Sequence, residues 1–332
     1  MTSRERIRKA IARQAGDVVP ARFNAAPNDQ TLRLAGRLGL ARGDDWYEAL
    51  FRRFRIDMRN VDPEVKNGDY GGDNETMCAA QTTADIDRLW PAKIMVANRS
   101  FDNARRQVEL WDRSGNPPAL QARLGGLFGS VRRLRGDTNA FMDLADGSDL
   151  FIHLMDRLEA YLAGMIDLAF AAFGQRLDLV HIGDEIGMQT GLMFSPHCIR
   201  AHFFPRFRRL FAQIHRQGAF VFYHSCGAIA PLIGELAELG VDVLNPIQPR
   251  LPGMDAGELA GAHGGRICFC GGLDMQRLMP CGTPAEVQAE ARCYMRVLAP
   301  GYILDLANIL HPDIPDENVI ALYDTPREIE QT

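Results

Sequence analysis

Two potential metal ligands stand two residues apart at the end of an apolar run. His224 and Cys226 follow the apolar segment 219–223, and Gly227 comes directly after them. Because side chains alternate between the two faces of a strand, residues two apart project in the same direction. An imidazole and a thiol placed together suit Zn²⁺. The same pair is compatible with a core histidine beside an inert buried thiol, since two ligands are fewer than a zinc site needs.

The chain around this pair alternates between segments typical of strands and segments with helical spacing. The eight predicted strands are residues 18–23, 54–61, 127–131, 177–182, 219–224, 241–247, 266–270 and 302–306. This alternation predicts an α/β fold of the (β/α)₈ TIM barrel type, with the fifth and sixth strands parallel neighbours. A doubly wound open sheet would give the same alternation, but no glycine-rich dinucleotide loop follows the first strand.

We expect one barrel domain over residues 1–332 with two additions. Residues 1–17 should form a helical extension, because Ile7, Ala10 and Ile11 share one face among arginines. Residues 62–83 are rich in Gly, Asp and Asn, which predicts a surface excursion. Because it follows the second strand, the excursion should lie at the active-site end of the barrel and could act as a lid.

Composition excludes several classes of protein. The chain has 332 residues, of which 46% are hydrophobic and 24% charged, as in ordinary globular proteins. A net charge of -5 gives no basic footprint for nucleic acid, and no apolar run or N-terminal segment predicts a membrane span or a signal peptide. Seven cysteines, an odd number, favour a reducing cytoplasm with free or metal-bound thiols. A homodimer is compatible with the sequence, which does not fix the oligomeric state.

In a (β/α)₈ barrel the active site lies at the carboxyl ends of the strands. There we predict catalytic roles for Asp184, His224 and Asp274, and cofactor-binding roles for Gln189, Asn245, Gln248 and Asn308. Each Asp or Asn has an alternative role, because such residues often cap the helix that follows a strand.

The third metal ligand has two candidates. Asp184 and Glu185 are adjacent, so only one of their carboxylates can face the active site, and we choose Glu185 as the ligand. Cys270, at the end of the seventh strand, competes for the same role. Glu185 could equally serve as a helix cap or a surface ion-pair partner, and Cys270 as an inert core residue.

Short motifs spread over most of the chain are similar to those of one enzyme superfamily. They are residues 4–8 (RERIR), 17–20 (DVVP), 183–189 (GDEIGMQ), 224–227 (HSCG), 271–274 (GGLD), 282–287 (GTPAEV) and 312–318 (PDIPDEN). In this order and spacing the chain resembles the uroporphyrinogen decarboxylase superfamily of (β/α)₈ barrels. It looks most similar to the branch that contains corrinoid-linked methyltransferases, and the resemblance is best after residue 177.

The resemblance implies a zinc-dependent methyltransferase. Such an enzyme moves a methyl group between a small methylated substrate and a corrinoid carried by a partner protein. In that branch a His-x-Cys pair and a later cysteine bind the zinc, and His224 and Cys226 match the pair. Asn308 stands where the later cysteine is expected, so the third ligand stays open between Glu185 and Cys270.

Two other functions compete with this one. The first is a uroporphyrinogen-decarboxylase-like lyase without a metal, in which His224 and Asp184 do acid–base chemistry on an unknown substrate. True uroporphyrinogen decarboxylation is disfavoured, because that enzyme needs an aspartate after the second strand and an arginine-rich N-terminal segment. Here these segments read MRNV (58–61) and PARFNA (20–25). The second is a barrel that only binds a ligand or partner.

Overall fold

The structure, a computed structural model, describes residues 1–40, 43, 45–66 and 75–328. Its largest sheet contains seven parallel strands in the order β1-β4-β5-β8-β9-β10-β11. The strands are β1 (Met58–Val61), β2 (Glu64–Val65), β3 (Arg99–Ser100), β4 (Ala119–Gly125), β5 (Leu177–Gly183), β6 (Gly187–Met188), β7 (Gly191–Leu192), β8 (Phe220–His224), β9 (Val243–Ile247), β10 (Cys268–Gly271) and β11 (Tyr302–Ile303). β2 pairs with β3, and β6 with β7, as antiparallel two-stranded sheets.

Helices connect the strands of the large sheet and surround it. They are α1 (Ser3–Ile11), α2 (Asp29–Arg37), α3 (Trp46–Arg53), α4 (Thr83–Arg88), α5 (Asp102–Asp112), α6 (Phe128–Arg135), α7 (Asp137–Asp146), α8 (Asp149–Phe173), α9 (Pro196–His202), α10 (Phe204–Arg216), α11 (Ile233–Leu239), α12 (Ala256–His263), α13 (Leu278–Cys281), α14 (Pro284–Leu298) and α15 (Asp316–Asp324). Within the described residues, no helix combines the length and apolar character needed to cross a bilayer.

The large sheet curls so that its two edge strands approach each other. Residues 20–22 run between these edges: the N–H of Leu304, just after β11, donates to Pro20 over 2.9 Å. On the other side, the N–H of Asp57, just before β1, donates to the carbonyl of Ala21 over 2.8 Å. The predicted first strand is therefore extended backbone with isolated bridges rather than a strand. The fold is a curled, parallel α/β sheet like that of a TIM barrel, with seven strands instead of the predicted eight.

The predicted strand pairing is confirmed at β8 and β9, which are parallel neighbours. The predicted third strand, residues 127–131, is wrong, because this segment lies in α6 and the strand is β4, just before it. The apolar residues of the segment fit a helix equally well, since Phe128, Val131 and Leu134 are buried at helical spacing.

Helix α1 fills the space inside the curled sheet at the amino ends of the strands. We call the inner core the buried cluster Ile7, Ala10, Ile11, Met58, Ala119, Leu179, Phe222, Val243, Cys268, Cys270 and Ile303. Ion pairs also hold the helix in place: Arg4 and Arg8 each contact the fully buried carboxylate of Asp178 over 2.9 Å. The predicted N-terminal helix thus closes one end of the sheet.

The predicted excursion at residues 62–83 is only partly visible, since residues 67–74 lie outside the described residues. The segment from residue 75 onwards lies mostly at the surface, and its side chains Met77 and Ala80 are buried. The guanidinium of Arg135, at the end of α6, donates to the carbonyls of Cys78 and Ala80 over 3.2 and 3.0 Å. This end of the segment is therefore anchored to the core, and its role as a lid stays a prediction.

Shortening Ile7 should destabilise the protein, because its side chain fills the space that the curled sheet encloses. We expect Ile7→Ala to lower the free energy of unfolding by about 2–5 kcal/mol, the range for a large-to-small change in a closely packed core. The measurement is urea denaturation. The matched control is Ile152→Ala, at a 37% exposed position, which should cost much less. Equal losses in the two variants would contradict the role of α1.

Candidate metal centre

Glu185, His224 and Cys226 come together at the carboxyl ends of β5 and β8. Nε2 of His224 lies 3.7 Å from Sγ of Cys226 and 3.6 Å from Oε1 of Glu185. One ligand atom of each residue lies within 4.8 Å of the other two. The backbone N–H of Cys226 donates to Oε2 of Glu185 over 3.0 Å, which holds the carboxylate beside the pair. We call these three residues the triad.

Asn245, opposite His224 in the pairing of β8 with β9, orients the imidazole of His224. Its Oδ1 lies 2.7 Å from Nδ1 of His224, and its Nδ2 donates to the carbonyl of Cys270 over 3.2 Å. Because that carbonyl can only accept, the amide presents its oxygen to the imidazole, and Nδ1 carries the proton in the neutral ring. Nε2 is then free to face Cys226 and Glu185, as metal-binding histidines require. Asn245 positions a ligand.

The charges of the triad stabilise one another. Burial opposes the charged form of His224, but its contacts with Cys226 and Glu185 outweigh burial and raise the pKa of the imidazole to about 10. Burial acts to raise the pKa of Glu185, yet the contacts with His224 and with the backbone N–H of Cys226 leave it below its usual value. Positive charge is therefore favoured between the carboxylate and the thiol.

This set of donors fits zinc. Zn²⁺ binds imidazole nitrogen, thiolate sulfur and carboxylate oxygen, and two such ligands of a tetrahedral ion lie about 3.5 Å apart. The separations from Nε2 of His224, 3.7 and 3.6 Å, are close to that distance. All three triad residues are partly exposed. Three protein ligands with an accessible fourth position are typical of catalytic rather than structural zinc sites.

Close backbone contacts fix the loop that carries Cys226. Gly227 has a φ of +96°, and a Cβ there would lie 2.3 Å from the carbonyl carbon of Gly187, in the β6–β7 hairpin. Only glycine avoids both problems, the positive φ and the collision. The N–H of Gly227 donates to Oε1 of Gln248 over 2.5 Å. Gln248, predicted to bind a cofactor, thus holds this loop in place.

Asn308 lies beside the triad, where the sequence resemblance implies a cysteine. Its Nδ2 is 3.9 Å from Sγ of Cys226, and its Oδ1 accepts the N–H of Ile309 over 2.7 Å. The side chain is therefore a neutral amide where a second thiolate would be expected. Because softer thiolate ligands bind zinc more strongly, this replacement should weaken the site.

Asp184 does not join the triad, although it was predicted to be catalytic. Its buried carboxylate accepts the N–H groups of Leu127, Phe128 and Gly129 over 2.8, 2.8 and 3.1 Å, at the start of α6. Burial raises the pKa of Asp184 to about 7, with the three N–H donors acting in the opposite direction. These contacts are those of a residue that caps a helix.

No hydrogen bond or ion pair joins Asp274 or Gln189 to the triad among the described residues. Oδ1 of Asp274 accepts the N–H groups of Gln276 and Arg277 over 2.9 and 3.3 Å, and its Oδ2 pairs with Arg250. Gln189 is exposed at the tip of the β6–β7 hairpin. Their predicted catalytic and cofactor-binding roles stay predictions, and the described contacts of Asp274 are those of a turn cap.

Cys270 belongs to the inner core instead of the metal centre. The residue is fully buried, and its Sγ lies 4.0 Å from Oδ2 of Asp305. Burial raises the pKa of Cys270, which favours the thiol over the metal-binding thiolate. Of the two candidates for a third ligand, the geometry favours Glu185.

Polar side chains line the inner face of the sheet, each two positions after a residue of the inner core. The polar layer consists of Asn60, Gln121, His181, His224, Asn245 and Asp305. Two positions earlier on the same segments stand the inner-core residues Met58, Ala119, Leu179, Phe222, Val243 and Ile303. The first three members of the layer were not predicted as site residues. The sequence pattern that could have identified them is a polar side chain two positions after an inward-facing apolar side chain.

Comparisons with known proteins agree with this architecture. The family model described as uroporphyrinogen decarboxylase matches residues 129–329. The solved structure of a methyltransferase from Methanosarcina mazei is similar to this chain, with a TM-score of 0.68, 15% sequence identity and 97% of each chain covered. At that identity the similarity shows a shared fold alone.

Two further solved structures match only weakly. Dispersin B has a TM-score of 0.37 and 12% identity, covering 67% of this chain and 77% of its own. D-psicose 3-epimerase, in the presence of D-fructose, has a TM-score of 0.38 and 9% identity, covering 86% of this chain and 91% of its own. Scores this low carry no argument about the fold. No curated protein matches the chain in sequence.

Replacing Asp184 should test its role as a helix cap. We expect Asp184→Asn to be about 1–2 kcal/mol less stable near pH 5, because the amide NH₂ faces backbone N–H donors. The folded pKa of about 7 exceeds the unfolded value, so the stability that Asp184 contributes is present at low pH and is lost as pH rises through about 7. The Tm difference between wild type and variant should therefore shrink from about pH 4 to about pH 8.

The control for this experiment is Asp146→Asn, at an exposed position in the last turn of α7. It should leave Tm nearly unchanged at every pH. An Asp184→Asn variant as stable as wild type throughout would show that the carboxylate does not hold α6.

Proposed function

The chain belongs to the uroporphyrinogen decarboxylase family, and we propose that it is a zinc-dependent methyltransferase. It moves a methyl group between a small methylated substrate and a corrinoid carried by a partner protein. The observation that carries this proposal is the triad, whose three ligand atoms lie within 4.8 Å of one another. The fold shared with a methyltransferase from Methanosarcina mazei supports it.

Each residue around the triad has a defined task in this proposal. Glu185, His224 and Cys226 would hold the zinc, and Asn245 keeps Nε2 of His224 turned toward the other two residues. Gln248 fixes the loop of Cys226 through the N–H of Gly227. A zinc ion held there would act as a Lewis acid, either on the leaving group of a methyl ether or amine or on an acceptor thiol.

The metal-free lyase is the weaker alternative. It needs His224 and Asp184 to act together as acid and base. The carboxylate oxygens of Asp184 instead accept three N–H groups at the start of α6. The geometry thus leaves His224 with Glu185 and Cys226 as its partners, which favours a metal centre.

Removing the thiolate should abolish both metal and activity. We expect Cys226→Ala to lower the zinc content from about one ion per chain to near zero, because the change removes the only thiolate among the three ligands of the triad. Demethylation of methylcobalamin in the presence of 2-mercaptoethanol, followed by its visible absorption, should fall in parallel. The reverse assay supplies cob(I)alamin and 2-methoxyethanol. Metal analysis of the purified proteins is the primary measurement.

The matched control is Cys293→Ala, which removes an exposed cysteine on α14 and should change neither readout. Wild-type zinc content should also fall from about pH 8 to about pH 6, because metal binding needs neutral His224 and deprotonated Cys226. Tm should change little in Cys226→Ala, since a domain of this size has its own core. Zinc retained by Cys226→Ala would contradict the proposal.

Adding the missing thiol should strengthen the site. Nδ2 of Asn308 is 3.9 Å from Sγ of Cys226, so a cysteine at position 308 would place a second thiolate beside the triad. We expect Asn308→Cys to bind zinc at least about tenfold more tightly, as measured by competition with a chromogenic chelator. Asn308→Ser has no soft ligand and serves as the control. Unchanged affinity in Asn308→Cys would show that residue 308 does not reach the metal.

A further inference from the structure

A cavity of about 490 Å³ lies between α12 and α14, beside the loops that follow β9 and β10. It is separate from the candidate metal centre, because none of the triad residues lines it. Its walls carry three carboxylates, those of Asp255, Asp274 and Glu290, and the phenol of Tyr294. What the cavity can bind depends on which of these groups lack a partner within the protein.

Tyr294 is the most buried of these side chains. Only 3% of the residue is exposed, and its ring packs on Gly272, where a Cβ would lie 2.8 Å from Cε1 of the ring. The hydroxyl makes no hydrogen bond to any described residue, yet it is not one of the polar atoms that are sealed from solvent. Because the hydroxyl of a buried tyrosine normally has a partner, this one is available to a molecule in the cavity.

Two of the three carboxylates keep oxygen atoms free. Asp274 is satisfied, since its Oδ1 accepts N–H groups of the turn that follows and its Oδ2 pairs with Arg250. Asp255 uses Oδ1 to accept two N–H groups at the start of α12 over 2.8 and 3.1 Å, which leaves its Oδ2 free. Glu290 makes no hydrogen bond or ion pair with a described residue.

The uncompensated charge of the cavity is therefore negative. Arg250 is the one basic side chain among the described lining residues, and it is paired with Asp274. Burial raises the pKa of Tyr294, and the charges of Glu290 and Asp255 act in the same direction. The hydroxyl thus stays protonated, and its oxygen can accept a hydrogen bond from a cation that the two carboxylates attract.

The spacing of the carboxylates favours an elongated cation over a metal ion. Within the part of the chain that the structure describes, only the triad brings three such ligands within 4.8 Å of one another, so Asp255, Asp274 and Glu290 do not form such a group. Ca²⁺ and Mg²⁺ need several oxygen ligands at about 2.0–2.6 Å from one centre. The apolar side chains of Leu278 and Val297 on the walls match an alkyl chain instead.

We propose that this cavity binds a protonated aliphatic diamine. One ammonium group donates to Glu290 and Tyr294, which lie four residues apart on one face of α14. The other pairs with the free oxygen of Asp255, and the alkyl chain lies between them against Leu278. This site goes beyond the proposed function, since it requires neither the metal nor methyl transfer.

The test uses probes of similar length that differ in charge. They are 1,4-diaminobutane, butylamine and succinate, which at neutral pH are a dication, a monocation and a dianion. Dissociation constants for the full-length protein are measured by isothermal titration calorimetry at constant ionic strength. We expect 1,4-diaminobutane to bind at least about tenfold more tightly than butylamine, because it alone meets both carboxylates, and succinate not to bind. Equal affinities of the two amines, or no binding of either at millimolar concentration, would overturn the inference.

Two conservative variants identify the residues that hold the diamine. Glu290→Gln removes one charge at the same size and should abolish the preference for 1,4-diaminobutane. Tyr294→Phe removes only the hydroxyl and should weaken its binding about threefold with Tm unchanged, because the hydroxyl has no partner to lose in the protein. Glu109→Gln, at an exposed position on α5, is the matched control and should bind like wild type. A preference retained in Glu290→Gln, or a marked fall in the Tm of Tyr294→Phe, would contradict the assigned roles.

Competition with inorganic cations separates an amine site from a metal site. MgCl₂ and CaCl₂ are added to the complex with 1,4-diaminobutane, with NaCl of equal ionic strength as the reference. We expect all three salts to weaken the complex equally, because they act by screening alone. Displacement by Ca²⁺ or Mg²⁺ at micromolar concentration would show that the carboxylates bind a metal ion, and it would overturn the diamine site.

Discussion

The alternation of side chains on parallel strands is the constraint on which this structure depends. Every second residue must face the inside of the curled sheet, and the inside has an end closed by α1 and an end open to solvent. At the closed end the inward residues are apolar and form the inner core with Ile7 and Ile11. Two positions further along, the inward residues are polar. One step of the pleat thus separates the part that stabilises the fold from the part available for chemistry.

The same alternation of side chains positions each residue of the triad. His224 extends the inward row of β8 beyond Phe222, and Cys226 follows it where Gly227 turns the chain. On β5, Gly183 is the inward residue, and its lack of a side chain leaves room beside His224. Asp184 then faces the helices and Glu185 faces the triad, so that two adjacent carboxylates do different work. One caps a helix, and the other contributes to the candidate metal centre.

The sequence predicted those parts of the site that lie on apolar strands. β5, β8 and β9 were recognisable from their hydrophobic runs. The alternation rule indicated that only one of Asp184 and Glu185 faces the active site, and Glu185 was chosen as the ligand. β4 was missed, because Gln121 and Arg123 interrupt its apolar pattern, whereas residues 127–131 soon after it form a short, mostly apolar run. Asp184 was assigned to catalysis, because a carboxylate at a strand end can meet either substrate or a helix start. The three-dimensional position of Leu127–Gly129, brought there by β4, shows the contact with a helix start, and the catalytic role of Asp184 stays a prediction.

The packing of helix α1 affects how the protein can fold during its synthesis. Its apolar face packs on residues from Met58 to Ile303, so α1 cannot be fully buried until β11 has been synthesised. Until then Ile7 and Ile11 have no complete partner surface, and the unfinished sheet has two unpaired edges. Contacts that join the two ends of a chain form slowly and leave hydrophobic surface open to aggregation. During biosynthesis, helix α1 should therefore be a segment that chaperones protect until β11 is complete.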